Sequence, residues 1–377
     1  MYKLVLLLLL LCVNFAEAAS RHFGDSITAG YGASNPPVTG YVPLLDAALG
    51  LTGTNYATNG SMAADQAIVA HSIRPAASDF STLMIGVNDC QRYLSVAQQN
   101  YYKAFVTDII VSLTMPNITT ARNANVIRSG AWSNSSPLWS TGLQSVTTGN
   151  SLTATISGSR IYIGTILQEY MGQAITGTAN VLIDGTIVGT VTSNGLAMDT
   201  GLGASYGPAA FAFNTVPGSH TIQLVQTTSA NPSGSGLNSL YIEYITGSDQ
   251  LANASLYLSN ITQTFQTSNP CPSSSTAIFN GILTGLVSQF SSDGRMIALV
   301  DSNSVVLQND LNTDGIHPND NGYLKIKNAF MTVIQPPAWI WSGTALWVGQ
   351  PSGGGVPAYC ISPTLPSGAC ANPLNVP

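Results

Sequence analysis

Apolar and polar positions along this chain change rhythm twice. From about residue 20 to 115, short apolar runs alternate with stretches of helical spacing. STLMIGVND, from Ser81, reads as a strand running into a polar loop. AQQNYYKAFVTDIIVSLTM, from Ala97, sets Tyr101, Phe105, Ile109 and Leu113 four apart on one helical face, and Pro116 ends it. From about 117 to 247 the texture becomes short alternating strands among Gly, Ser and Thr. ANVLIDGTIVGTVT, from Ala179, predicts a hairpin with Asp184-Gly185 as its two-residue turn. AAFAFNTVPGSHTIQLVQT, from Ala209, reads as strand, turn and strand, and SLYIEYIT, from Ser239, alternates again. Near Asp249 the first rhythm returns. ASLYLSNI is a strand, STAIFNGILTGLVSQF an amphipathic helix, MIALVDSN a buried strand and NGYLKIKNAFMTVI a closing helix. Helices and strands on both sides of an all-β block predict an α/β domain of residues 19–118 and 248–335, with a jelly-roll-like β-sandwich inserted over 119–247. Residues 336–377, rich in Pro, Gly and Trp, show no periodicity and read as a packed extension.

Composition narrows the class. Of 377 residues 45% are hydrophobic and only 7% charged, too apolar for disorder, and the net charge is -6 with no basic cluster. That excludes nucleic acid and anionic membranes as expected partners. The N-terminus has Lys3, an apolar run from Leu4 to Phe15 and Ala16-Glu17-Ala18, the three parts of a cleavable signal peptide over residues 1–18. The run is short for a bilayer, and no second run of transmembrane length follows, so no transmembrane segment is expected in the mature chain. The expected location is secreted, extracellular or periplasmic. Removing the leader, and Cys12 with it, leaves Cys90, Cys271, Cys360 and Cys370. An even count in an exported chain suggests two disulfides with three possible pairings. Locality favours Cys360 with Cys370, leaving Cys90 with Cys271. No spacing suggests zinc, and Asn59, Asn117, Asn134, Asn253 and Asn260 lie in N-x-S/T sequons.

Candidate chemistry starts at HFGDSITAG, where Ser26 follows Asp25 in what could be an ordinary turn. A serine nucleophile needs a base, and the chain has four histidines: His22, His71, His220 and His317. In TDGIHPNDNGY, Asp314 stands three residues before His317, a spacing that lets a carboxylate hold one ring nitrogen and leave the other facing outward. Alone, D-x-x-H fits a surface Asx turn equally well. GDSITAG, NYATNGSM from Asn55, GVND from Gly86 and DGIH from Asp314 follow one another in order. Together these four blocks resemble the GDSL esterases of the SGNH hydrolase superfamily, over residues 20–116 and 249–335.

The resemblance implies a flavodoxin-like three-layer α/β/α sandwich with a parallel sheet, and a serine esterase with no metal or cofactor. It implies Ser26 as nucleophile, His317 as general base and then acid, and Asp314 as its orienter. The oxyanion donors would be the backbone N–H groups of Ser26 and Gly60 and the side-chain amide of Asn88. Asp25 and Asp89 read as structural. His22 would lie in a strand pointing away from the site, His71 at a helix end and His220 in a turn. The chain departs from the family where an apolar strand normally precedes the first block, since only AASRHF follows Ala18. GASYG, from Gly203, matches the G-x-S-x-G nucleophile elbow, but Pro208 and a β-rich context replace the helix an elbow needs. Trp132, Trp139 and Tyr206 could stack on sugars or serve as core and interface residues, and the insert could lean over the active-site mouth. The expected activity is hydrolysis of short acyl esters, acetyl groups on polysaccharide, through an acyl-enzyme. A lipase or arylesterase acting on lipid esters is the alternative, supported by Trp339, Trp341 and Trp347, and a non-catalytic carbohydrate-binding surface protein is a third.

Overall fold

The structure, a computed structural model, describes residues 19–73, 79–115, 117–134, 141–170, 173–174, 177–195, 198–204, 206–227, 239–249, 254–265, 271–334 and three short strands beyond them. The predicted signal segment lies outside the described residues.

The chain starts on β1 (Ser20–Gly24), then passes α1 (Pro36–Thr39), α2 (Tyr41–Leu49), β2 (Gly53–Asn55), α3 (Ala63–Ile73), β3 (Phe80–Met84), α4 (Val87–Arg92) and α5 (Val96–Thr114). The inserted strands follow: β4 (Thr119–Thr120), β5 (Ile127–Ser129), β6 (Leu143–Ser145), β7 (Ser151–Ser157), β8 (Arg160–Tyr170), β9 (Gln173–Ala174), β10 (Thr178–Ile183), β11 (Thr186–Thr192), β12 (Tyr206–Asn214), β13 (Ser219–Gln226) and β14 (Leu240–Gly247). The chain then returns through β15 (Ser255–Ser259), α6 (Ser273–Ser292), β16 (Ile297–Val300) and α7 (Asp320–Val333).

β1, β2, β3, β15 and β16 form one parallel sheet in the order β16-β15-β3-β1-β2. Numbered along the chain this is the doubly wound 2-1-3-4-5 order. Its switch point lies between β1 and β3, where crossovers on the two sides diverge and leave a crevice at the strands' carboxyl ends. Two groups of helices cover the sheet. Tyr41 of α2 stacks on Phe330 of α7 at 5.3 Å, and Tyr102 of α5 meets Phe279 of α6 at 4.6 Å. A capping box starts α5: Ser95 Oγ accepts from the Gln98 backbone N–H at 3.3 Å, and Gln98 Oε1 accepts from the Ser95 N–H at 3.2 Å.

The insert is two antiparallel sheets, β11-β10-β13-β7-β5 and β12-β8-β14-β4, with β6 added on β14 and β9 on β8. They share one apolar core that includes Leu152, Ile163, Val181, Leu224 and Ile242. The hairpin at Asp184-Gly185 is present, with both turn residues at positive φ (50° and 82°), as a type I′ turn requires. By contrast β12 and β13, adjacent in sequence, pair in different sheets, so the turn between them is an arch across the sandwich.

Three expectations need correction. SLYIEYIT alternates by composition, yet all eight positions of β14 are buried, because one face meets the insert's core and the other meets α5. The Tyr101–Leu113 stripe is not the only buried face of α5: Tyr102 and residues 104–114 are all buried between the parallel sheet and β12. Beyond Gln335, where no periodicity predicts elements, β17 (Ile340–Ser342), β18 (Ala345–Val348) and β19 (Tyr359–Cys360) form a small antiparallel sheet. Cys90 on α4 and Cys271 before α6 are disulfide-bonded, with Cα atoms 5.2 Å apart. Cys370 lies outside the described residues, so the Cys360–Cys370 pairing does too. Among the described residues no helix is long and apolar enough to cross a membrane.

Candidate active site

Ser26 lies two residues past β1, at the switch point, with 7% of its surface exposed. Its Oγ is 2.8 Å from Nε2 of His317. The other ring nitrogen of His317, Nδ1, is 2.6 Å from Asp314 Oδ2. The Asp314 carboxylate is fixed in turn, since its Oδ1 accepts from the backbone N–H groups of Ile316 at 2.9 Å and His317 at 3.0 Å. Burial works to raise the pKa of Asp314, but these N–H groups and the imidazole outweigh it and hold the carboxyl below its ordinary range. The group therefore stays an anion that accepts from Nδ1–H, leaving Nε2 as the acceptor facing the hydroxyl.

The loop carrying His317 is docked on the loop after Ser26 by several independent bonds. Asn312 Nδ2 donates to the carbonyls of Gly32 and Pro318, both at 3.0 Å. Tyr323 Oη donates to Tyr31 O at 2.6 Å. Asp320, in the first turn of α7, accepts from Ser34 N at 2.8 Å and Thr39 Oγ1 at 2.9 Å. The exposed Tyr31 ring lies 4.6 Å from the imidazole of His317.

The second and third blocks meet the first at the same crevice. Thr58 N donates to Gly24 O at 3.3 Å, and Ser61 N to Thr58 O at 3.1 Å, which lays the Gly60 loop along the end of β1. Gly60 has φ 81°, a left-handed conformation that an L side chain adopts only with strain. Asn88 Nδ2 donates to Ser61 O at 2.9 Å, tying one amide hydrogen to the Gly60 loop and leaving the second to point elsewhere. Asp89 accepts from Ala63 N at 3.0 Å and caps α3, so it is a structural carboxylate. Asp25 is 1% exposed and accepts from Ile27 N at 2.9 Å. Burial raises Asp25 to about 7 and Asp89 well above its ordinary value.

Each of the four histidines has an aspartate partner, which sequence spacing shows only for His317. His22 is fully buried in β1, with Nδ1 2.8 Å from Thr82 Oγ1 and Nε2 3.0 Å from Asp46. His71, at the end of α3, faces Asp108 at 3.5 Å. His220 Nδ1 is 2.7 Å from Asp184, and its Nε2 is 2.8 Å from Val216 O. Of the four, His317 is the one whose second nitrogen meets a serine hydroxyl. The GASYG segment runs from a turn into strand β12 rather than a helix, and Ser205 itself lies outside the described residues. Trp132 packs on the insert's core with its indole N–H on Ser129 O at 3.2 Å, and Tyr206 packs against Ile166 and Tyr241, so both serve packing. Trp139 and Trp339 lie outside the described residues.

Comparison with known families then decides the class. Residues 22–140 match the GDSL-like Lipase/Acylhydrolase family. The chain carries a GDSL-like acylhydrolase domain. It is an ester hydrolase, with Ser26, Gly60 and Asn88 inside the matched segment and Asp314 and His317 beyond it. No curated protein matches the chain. Solved structures similar to it include a G-D-S-L family lipolytic protein from Veillonella parvula (11% identity, 84% of this chain and 98% of the other, TM-score 0.39). An acetylxylan esterase from Geobacillus stearothermophilus (11% identity, 84% and 93%, TM-score 0.37) and a two-domain esterase active on acetylated mannans (12% identity, 60% and 89%, TM-score 0.34) are also similar.

The helix start that brings Asp320 to the loop after Ser26 is legible in principle: N-D-N-G-Y directly after the histidine block has the form of a helix N-terminus.

Proposed function

We propose that this GDSL-like hydrolase acts on short acyl esters, acetyl groups carried by polysaccharide, outside the cell, with Ser26 as nucleophile, His317 as base and Asp314 as orienter. The observation that carries the reading is the continuous Ser26–His317–Asp314 relay, at 2.8 and 2.6 Å, at the switch point of the sheet. In this mechanism His317 Nε2 takes the Ser26 proton as Oγ attacks the ester carbonyl. The same nitrogen returns the proton to the leaving alkoxide, and a water repeats the sequence to release the acid. Ser26 N–H, Gly60 N–H and the second Asn88 amide hydrogen would receive the developing oxyanion.

Support for a polymer-borne ester comes from access. A Cβ placed on Gly60 would meet no atom within 4 Å, and Thr58 and Asn59 beside it and Tyr31 beside His317 are exposed, which supports an ester hanging from a large polar scaffold reaching Ser26. The Cys90–Cys271 disulfide supports an oxidising compartment. The division into 19–118 with 248–335, the inserted 119–247 and the extension belongs to the same proposal. One observation favours the lipid alternative: Leu94, Val96 and Leu202 are exposed by 69%, 73% and 54%, and Tyr93 and Asp199 bond to each other beside them. Release of acetate from acetylated xylan, compared with hydrolysis of p-nitrophenyl esters of two to sixteen carbons, separates the readings. The expected profile peaks at acetyl, and activity rising toward long chains would replace it with the lipid reading. Ser26→Ala should lower turnover by about 10³-fold or more, and a variant with unchanged turnover would remove the assignment.

A further inference from the structure

The insert reaches the Gly60 loop through a short segment, Asp199 to Leu202. Gly201 lies directly against Gly60: a Cβ on Gly201 would sit 1.7 Å from the Gly60 carbonyl oxygen and 3.0 Å from Met62 N. No positive φ is involved, so glycine is required there by close approach alone. The segment is held on both sides. Asp65, in the first turn of α3, uses Oδ2 to accept from Met62 N at 2.8 Å and from Gly201 N at 2.7 Å, while its Oδ1 is 3.4 Å from Leu202 N. On the other side, Tyr93 Oη donates to Asp199 O at 2.6 Å and accepts from Asp199 N at 3.1 Å, and Arg92 pairs with the Asp199 carboxylate at 2.7 Å. Arg92 ends α4, the helix that carries Asn88.

One carboxylate thus ties together the start of α3, Met62 two residues after Gly60, and a loop of the inserted sandwich. The same loop is anchored to the helix of the third block. We infer that Asp199–Leu202 is a clamp that sets the distance between the Gly60 N–H and the Asn88 amide, with Asp65 and Gly201 as positioning residues for the oxyanion hole. This rests on the proposed roles of Gly60 and Asn88. The insert is then part of the catalytic apparatus and not only a neighbour of it. Donors must lie within about 0.5 Å of their working position to stabilise the tetrahedral intermediate, and the Asp65 bonds hold the Gly60 loop to that tolerance from outside the block.

The clamp makes a specific kinetic demand. Gly201→Ala must displace the Gly60 carbonyl, and should lower kcat on p-nitrophenyl acetate by about 10²-fold with KM changed less than about threefold, the loss typical of one misplaced oxyanion donor. Asp65→Asn keeps one oxygen for Met62 N and Gly201 N but loses the second, and should lie between wild type and Asp65→Ala. Full stoichiometric labelling of Ser26 by a p-nitrophenyl phosphonate, however slow, shows that the variant protein is folded with its nucleophile in place. A merely structural role would reduce the labelled fraction and leave kcat per labelled site unchanged, and that result overturns the clamp. Should Gly201→Ala fail to fold, the Asp65→Asn and Asp65→Ala series carries the test alone. If Ser26→Ala is inactive while Gly201→Ala and Asp65→Ala keep wild-type kcat, the clamp falls and the active-site reading stands. If Ser26→Ala keeps wild-type turnover, the active-site reading itself falls.

Discussion

Asp25 directly precedes the proposed nucleophile but belongs to the fold, and its burial has a measurable consequence. The carboxyl is 1% exposed and is raised from the ordinary 3.8 to about 7 by desolvation, against the lowering effect of the Ile27 N–H. Between these two values the folded protein binds a proton that the unfolded chain has released. The slope of unfolding free energy with pH is then negative: the contribution is intact below pH 4, declines as pH rises through the window and is fully lost above 7. At about 1.4 kcal/mol per unit, a shift of about three units corresponds to roughly 4 kcal/mol. Asp25→Asn keeps an oxygen to accept from Ile27 and cannot ionise. It should therefore exceed wild type by about 1.5 kcal/mol at pH 5 and by about 4 kcal/mol at pH 8. Asp89 is also buried, and the Asp25 charge helps to raise it, so the variant's own decline should be smaller than wild type's but not zero. Urea unfolding at pH 5 and pH 8 and equal ionic strength measures both numbers. An Asp25→Asn difference that is the same at the two pH values would refute the reasoning.

Asp314→Asn should lower kcat on the order of 10³–10⁴-fold. The new side-chain oxygen would stay with the Ile316 and His317 N–H groups, turning its NH₂ toward Nδ1 and forcing the wrong tautomer; kinetics at pH 8 check this, and a loss under tenfold would oppose the relay. Replacing both Cys90 and Cys271 by Ser opens a connection across 181 residues, and should lower unfolding free energy by about 5 kcal/mol in denaturant titrations. Lys325→Met removes the cation 2.6 Å from the fully buried Asp310 carboxylate, and should cost about 2–3 kcal/mol because Lys325 is itself a third exposed. Burial pulls Asp310 upward, but Lys325 and the Leu307 N–H hold it below its ordinary range, so its stabilisation is present above pH 4 and lost below. The Lys325→Met difference, read from thermal melts, should shrink at pH 3.

What could be read from sequence were features that spacing alone determines. The β10–β11 hairpin follows from Asp184-Gly185, and α7 from the pattern after His317, because turn geometry and helical period are local. The four blocks were legible through their joint resemblance to a known family; blocks two and three follow the ends of β2 and β3, which a doubly wound sheet brings to one edge. Burial on both faces was not legible. The alternation of β14 and the stripe on α5 describe one covered side, whereas the second cover comes from residues more than 100 positions away, as Tyr244 Oη on Asp108 illustrates. The histidines show the same limit. His22, His71 and His220 all have aspartates facing them, and only His317 reveals its partner by spacing. The contact of Gly201 with Gly60 leaves no local trace at all, since the glycine has ordinary backbone angles in a segment already rich in Gly and Ser.

The manner of insertion also limits which experiments can ask what the insert does. A sandwich tethered by two flexible links could be removed and the remainder assayed. Here β12 lies on α3 and α5, and Tyr162, Leu167, Ala209, Ala210 and Tyr244 share a continuous core with Phe105 and Ile109. Arg160 and Tyr162 also bond to Asp293 at the end of α6. Deleting 119–247 would expose the insert-facing side of α5 and take from Asp108, Asp65 and Asp293 the bonds they receive from Tyr244, Gly201 and Arg160 with Tyr162. Buried carboxylates that lose hydrogen bonds, together with the exposed apolar side of α5, cost several kcal/mol, enough to unfold a domain of ordinary stability. Loss of activity in that deletion would therefore report collapse and not the insert's influence on substrate. Single substitutions at Gly201 and Asp65 act on one contact while leaving the shared core in place, so they can separate a catalytic contribution of the insert from its contribution to stability.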